Sequence, residues 1–308
     1  MYKYILKRLL LMIPVLIGIS FVIFLIMSFM PGNPARLLLG EKATPAAVEK
    51  LTEELGLNDP FFFRYYSYMK NVLQGNFGIS YRTGMPVIYE IRARFPTTLK
   101  LAFFSIIIAI IVGIPIGILS AVKQYSFIDT LSTVLSMGFI SVPPFWLGLL
   151  LIILFSLKLG WVPSYGSDSL KHFILPALTS SACSFATLLR MTRSTILEVI
   201  RQDYIKTAYA KGASKPRVIF IHTLRNALIP LITVIGINFG NMLGGSIITE
   251  SVFGMSGLGN LLVLSIRSKD VPSVMASTLL LATLFGIVNL IVDLAYAFID
   301  PRIKFHYR

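Results

Sequence analysis

The sequence is short of charge. Only 14% of its 308 residues are Asp, Glu, Lys or Arg, where a soluble domain carries about a quarter. It is shorter still of acids, with 14 Asp and Glu against 28 Lys and Arg and a formal net charge of +14. One cysteine, Cys183, excludes an intrachain disulfide and leaves the redox compartment open. The three histidines, His172, His222 and His306, are far apart in sequence and lack the H-x-x-x-H spacing of a helical metal pair. No G-x-S-x-G, H-E-x-x-H or C-x-x-C occurs, so no hydrolase, zincin or redox motif is visible. No G-x-x-x-x-G-K-[ST] occurs either, so any ATP would be bound by another polypeptide.

What fills the space is apolar. Hydrophobic residues make up 55% of the chain, and several runs approach the 20 residues that cross a hydrocarbon core. Six spans are expected: Leu9–Met30, Leu101–Val122, Leu131–Leu157, His172–Leu189, Leu228–Ile248 and Ser277–Ile299. The first follows Lys3, Lys7 and Arg8, is longer than a signal-peptide core and lacks an A-x-A site, so it reads as a retained helix. The fourth is half polar, with Thr179, Ser180, Ser181, Ser184 and Thr187, and should face other helices or a polar path. The fold class expected is an all-α integral membrane protein.

The basic residues set the orientation. With the N-terminus inside, inner segments hold fifteen Lys and Arg and the two short outer loops hold four. That asymmetry puts both termini in the cytoplasm and accounts for the positive charge without nucleic acid. The chain then divides into an N-terminal helix (1–30), a large external loop with short helices (31–97) and a core of about five membrane helices (98–308) with one sizeable cytoplasmic loop (190–226). In the external loop, Thr44 and Pro45 suit a helix start, Gly56 its end, and Asp59-Pro60 to about Gly75 a second helix. Residues 86–95 (PVIYEIRARF) put Val87, Ile88, Ile91 and Phe95 on one side. That suits an interfacial helix on the outer leaflet, or equally one packed on the rest of the loop. Small residues every fourth position (Ala109, Gly113, Gly117, Ala121; Gly236, Gly240, Gly244) suit close helix contacts within the chain.

Few ionisable or amide groups lie inside the spans. Asp293 is the clearest carboxylate, and a hydroxyl or basic partner is the favoured reading of it. Asn238 and Asn241 either line a polar path or bond across helices. Too few mid-membrane acids are present to favour an ion-driven transporter. The loop at 190–226 is more informative. Residues 201–212 read as a short helix stopped by Gly212, with Tyr204, Ala208 and Lys211 on one face and Ile205 and Tyr209 on the next. Ser214 and Pro216 suit the start of a helix running into the fifth span. Helix, glycine, helix suits a docking element as well as a solvated loop.

The segment Thr207–Pro230, TAYAKGASKPRVIFIHTLRNALIP, resembles the cytoplasmic signature of ABC importer permeases in their peptide-transporter form. Thr207, Ala208, Ala210, Lys211, Gly212, Val218, His222, Arg225, Asn226, Ala227 and Pro230 match it. Tyr209 stands where Arg is usual, and Lys206 and Thr207 stand where the general motif has Glu-Ala. PGNPA (31–35), LGLNDP (55–60), GNFGIS (75–80), FPTTLKLA (95–102), SVPPFWLG (141–148), 159–179, ESVFGMSGLG (250–259) and DPR (300–302) extend the likeness over nearly the whole chain. The resemblance implies a type I importer permease fold in a bacterial or archaeal inner membrane. It implies a second homologous permease subunit, two ATPase subunits that bind ATP and Mg, and an external solute-binding protein. It also implies an ATPase-coupling helix at Asp203, Tyr204, Thr207, Ala208, Tyr209, Ala210 and Lys211, ended by Gly212. The solutes carried by such permeases include dipeptides, oligopeptides, glutathione and nickel chelates.

Overall fold

The protein was analysed as a computed structural model that describes residues 2–30, 32–40 and 43–299. The DPR motif and the basic residues after it lie outside these. The described residues form helices α1 (Tyr2–Phe29), α2 (Pro34–Leu39), α3 (Pro45–Glu54), α4 (Phe61–Leu73), α5 (Val87–Val122) and α6 (Phe127–Ser141), then α7 (Pro144–Leu151), which runs on as a π-helical stretch, Ile152–Lys158. They continue with α8 (Ile174–Ile200), α9 (Asp203–Ala210), α10 (Lys215–Arg217), α11 (Leu224–Val252), α12 (Leu258–Arg267) and α13 (Val271–Ile299). Five helices are long and apolar enough to cross a membrane, or six if the bent pair α6–α7 is one span.

The centre is α5 against α8. Gly113 lies against the Phe185 carbonyl and Leu188. A Cβ on Gly117 would stand 2.6 Å from Thr192 Cβ and 2.8 Å from the Leu189 carbonyl oxygen. The four-residue spacing is therefore a contact inside the chain. In α11 the same pattern lets Phe285 and Val292 of α13 lie over Gly240 and Gly236. The half-polar α8 is the most buried span. Several of its hydroxyls are satisfied by its own turns, as Thr179 Oγ1 donates to the Leu175 carbonyl at 2.9 Å, or across the interface, as Ser180 Oγ donates to Thr249 Oγ1 at 3.0 Å, while the buried Thr192 Oγ1 has no partner among the described residues. Lipid offers hydroxyls no partner, which is why this face is inside.

Three expected boundaries move. The segment at 86–95 is the first turns of α5. Val87 and Ile91 are buried against Leu258, Leu261, Ala276 and Leu281, so this apolar stripe faces protein and not the outer leaflet. The division at 97 thus falls inside a 36-residue helix. The third span is not one rod: α6 and α7 meet at 104°. Pro143 and Pro144 lack amide protons and push the residues before them out of the helical region, with ψ of 123° at Val142 and 134° at Pro143. The fourth helix runs on past Leu189 to Ile200, so Arg190 and Arg193 are helical and the connecting segment is shorter than 190–226.

The bundle has two distinct ends. At one, Ala121, Ile196 and Ala227 pack together between the ends of α5 and α8 and the start of α11. At the other, the buried Asp270 accepts from Ser80 Oγ at 2.5 Å and from the Tyr81 amide at 3.0 Å, which ties the segment before α5 to the α12–α13 turn. The expected cap at Thr44 is present, and Asn33 supplies one that the sequence reading did not single out. Thr44 Oγ1 accepts from the Ala47 amide, and Asn33 caps α2 while donating to Thr52 Oγ1 at 3.0 Å.

Candidate functional site

α9 stands at the end of α8 and is closed by glycine. Gly212 has φ of +82°, a conformation that costs glycine nothing. The Ala213 amide donates to the Ala208 carbonyl at 3.1 Å and the Gly212 amide to the Tyr209 carbonyl at 2.9 Å, the paired bonds of a Schellman ending. One side chain anchors the helix: Ile205 is fully buried, and α9 packs on the segment 218–223. Around it Asp203, Tyr204, Thr207, Tyr209, Ala210 and Lys211 are exposed, and Ala208 is half-buried. Lys206 Nζ lies 2.8 Å from Asp203 and holds that carboxyl below its usual range. Partial burial pushes the Tyr204 phenol up. The result is a short, stiff helix pinned by one residue and presenting the rest outward.

The arm that carries α9 is fixed to the bundle by an ion pair between a buried carboxylate and a partly buried guanidinium, which sequence reading missed. Asp129, at the start of α6, accepts from Arg193 of α8 through both oxygens, Nε at 2.6 Å and Nη2 at 2.9 Å. Ser120 Oγ at the end of α5 adds a bond of 2.6 Å, and the Tyr125 amide one of 2.9 Å. Such two-pronged geometry is directional as well as strong. Just beyond it, Arg193, Glu198, Arg201 and Gln202 line a hollow of about 440 Å³ at the foot of α9.

At the other end Glu250 is wholly buried. Its Oε1 accepts from Thr98 at 2.6 Å and Ser246 at 3.1 Å, and its Oε2 from the Asn260 amide at 3.0 Å. Thr98 Oγ1 in turn accepts from the Leu258 amide at 2.8 Å. A carboxyl group at the first turn of α12 satisfies an amide that a helix start leaves free. Gly257 and Gly259 leave the room, since a Cβ on either would run into this carboxylate. The visible signal is a lone carboxylate at the end of an apolar run, followed by a glycine-rich turn.

The intramembrane polar residues do not form one cluster. Asn241 and Asp293 line a mainly apolar cavity of about 870 Å³ between α1, α11, α12 and α13. Arg8 of α1 pairs with Asp293 at 3.0 Å. Asn238 is not among the residues lining it, and its buried Nδ2 has no hydrogen-bond partner among the described residues.

Known proteins resemble this chain over its full length. Two family descriptions match, "binding-protein-dependent transport system inner membrane component" over residues 113–305 and the corresponding N-terminal component over residues 1–102. The dipeptide transport system permease protein DppB of Alkalihalophilus pseudofirmus is 42% identical, covering 99% of this chain and all of the relative. The glutathione transport system permease protein GsiC of Escherichia coli is 43% identical with the same coverage. Among solved structures, inward-facing conformations of the MetNI methionine ABC transporter match with a TM-score of 0.59 at 20% identity, covering 69% of this chain and 97% of the other. With 193 residues under one family description and full-length relatives above 40% identity, the chain belongs to the binding-protein-dependent transport system inner membrane components, the permease subunits of ABC importers.

Proposed function

We propose that this multi-pass inner-membrane permease carries small peptides, of the dipeptide or glutathione class, through a pathway it forms with a second homologous permease. The observation that carries the transport reading is α9: a glycine-closed helix, with Ile205 buried, Ala208 half-buried and its other residues exposed at the end of a braced arm. Support for the solute class comes from the full-length relatives, named as dipeptide and glutathione permeases. In this reading α9 and residues 2–8 face the cytoplasm, consistent with the basic residues of 190–226. Two ATPase subunits bind ATP and Mg, each seating a helix through residues such as Tyr204, Thr207, Ala208, Tyr209 and Lys211. An external binding protein delivers solute at the opposite end. ATP-driven approach of the ATPases then moves α9 as a rigid lever, because ATP binds two states with different affinity. Asn238 and Asn241 are pathway candidates. Asp293 serves to hold α1 through Arg8.

Reconstitution with ATPases and binding protein tests this. Uptake of a labelled dipeptide or glutathione should need ATP and all the subunits. Ala208→Glu should abolish ATPase assembly and uptake while leaving the permease folded. Uptake driven by an ion gradient alone, or assembly that survives Ala208→Glu, would sink the reading.

A further inference from the structure

The interfacial helix that the sequence suggests at 86–95 is part of the protein core, but another helix has the character it lacks. α4, FFFRYYSYMKNVL, contains no acid. One face, Phe61, Arg64, Tyr65 and Tyr68, meets the far half of α1. Phe61 and Tyr65 lie edge-on to Phe21 at 5.7 and 5.4 Å, Tyr68 stacks on Phe24 at 6.3 Å, and the Arg64 guanidinium sits 5.8 Å from the Phe24 ring centre. The Tyr65 hydroxyl is within 2.8 Å of Ser20 Oγ and 3.2 Å of the Ile17 carbonyl oxygen. The opposite face is exposed, with Phe63 59% and Tyr66 65% accessible and Lys70 on the same side, and Phe62, 73% accessible, stands at its edge and also stacks on Phe21 at 6.4 Å.

The level of this contact decides what covers that face. α1 is a 25-residue apolar span, Ile5–Phe29. Phe21 and Phe24 lie below its far end by eight and five residues, about 8–12 Å at 1.5 Å per residue. Amphipathic helices lie about 5–10 Å into the boundary between headgroups and acyl chains. The exposed aromatics of α4 also continue the exposed surface of α1, where Val22, Ile26 and Phe29 are 51%, 58% and 79% accessible. A helix satisfies its own backbone at that depth. The Tyr65 hydroxyl finds its partners within the protein, and Lys70 has the length to reach the headgroups. A water-filled surround would leave two phenylalanines and a tyrosine contiguous and wet.

We propose that α4 is a monotopic membrane helix, its Phe62, Phe63 and Tyr66 face seated in the lipid of the leaflet opposite α9. α1 and α4 together then form one lipid-anchored unit, and the segment 31–60 between them is held against the bilayer at both of its ends.

The test uses the complete transporter in phospholipid nanodiscs, with Cys183→Ser and a nitroxide at single cysteines. Phe63→Cys and Tyr66→Cys probe α4, Val22→Cys reports lipid and Glu49→Cys reports water. Collision with oxygen relative to a water-soluble nickel chelate is read by power saturation. At 63 and 66 the ratio should shift toward oxygen as far as it does at 22. A ratio like that at 49 would show a water-exposed or binding-protein-facing helix and overturn the proposal. Protection from both reagents would show a protein partner and overturn it equally. Labels at 22 and 49 calibrate the readout whether or not the transporter hydrolyses ATP, so failure here is separable from failure of the transport reading.

Discussion

The two ends of α5 each donate a hydroxyl to a buried carboxylate, and the carboxylates are stabilised in opposite ways. Near α9, Ser120 meets Asp129, which has a formal countercharge in Arg193. At the far end, Thr98 meets Glu250, whose hydrogen-bond partners are two hydroxyls and a backbone amide. The first arrangement ties three long helices, α5, α6 and α8, at the root of the arm that carries α9. The second fixes the start of one short helix, α12. A two-pronged ion pair transmits direction between rigid bodies, whereas neutral donors hold a turn in shape. The difference suggests that stiffness is concentrated where force would enter, and that the far end relies on local geometry.

The largest expected effect comes from breaking the ion pair. Asp129→Ala leaves the partly buried Arg193 guanidinium without its partner, which costs about 3 kcal/mol, the low end for breaking a buried pair. Thermal unfolding of the detergent-purified permease should show it as a clear loss of midpoint. Replacing both partners by apolar residues, Asp129→Leu with Arg193→Met, should recover most of that loss, since no orphan charge remains. If the double variant is as stable as the native protein yet its ATP hydrolysis no longer drives uptake, the pair serves rigidity more than stability. A single variant with native stability would remove the comparison altogether.

Glu250→Gln should cost less, about 2 kcal/mol. An amide has one acceptor oxygen where the carboxylate has two. Turned one way, its NH2 meets the Asn260 amide donor to donor; turned the other way, the hydroxyls of Thr98 and Ser246 must rotate to accept from it and no longer donate. Hydrogen exchange at the first turn of α12 should quicken locally, while exchange in α8 and α9 stays unchanged. Equal quickening at both ends would mean that the two carboxylates belong to one cooperative unit.

Much of α9 was legible in sequence because its determinants are local. Gly212 ends it, and the residues it presents lie within one stretch of chain. The caps at Thr44 and Asn33 are local in the same sense, though only Thr44 was read in advance. The two carboxylate sites were not legible. Asp129 finds Arg193 64 residues away, and Glu250 finds Thr98 152 residues away, and no spacing rule spans such distances. The stripe at 86–95 shows another limit. Periodicity fixes which residues share a face but not what covers it, so the same pattern suited lipid while Val87 and Ile91 in fact meet α12 and α13. In the third span, Leu131–Leu157, apolar length gives the span but not the 104° bend that Pro143 and Pro144 put into it.

The two hydroxyls of α5 give the finest comparison. Thr98 Oγ1 donates to Glu250 and accepts from the Leu258 amide, so Thr98→Val breaks two buried bonds and leaves that amide unpaired. The loss should be about 1.5 kcal/mol, since stranding a buried donor carries its full desolvation cost. Ser120 makes one bond, to Asp129 Oδ1, and Arg193 Nε reaches the same oxygen at 2.6 Å. Ser120→Ala therefore leaves the carboxylate still partnered, and about 1 kcal/mol or less should be lost. Unfolding midpoints of both variants, each alone and combined with its carboxylate change, separate the cases. Thr98→Val should be strongly non-additive with Glu250→Gln because they share bonds. Ser120→Ala should be nearly additive with Asp129→Leu/Arg193→Met only if Ser120 draws its stability from packing against α6. Pronounced non-additivity there would place the hydroxyl inside the ion-pair network, and the two ends of α5 would be alike in needing a helix hydroxyl to complete a buried carboxylate's shell.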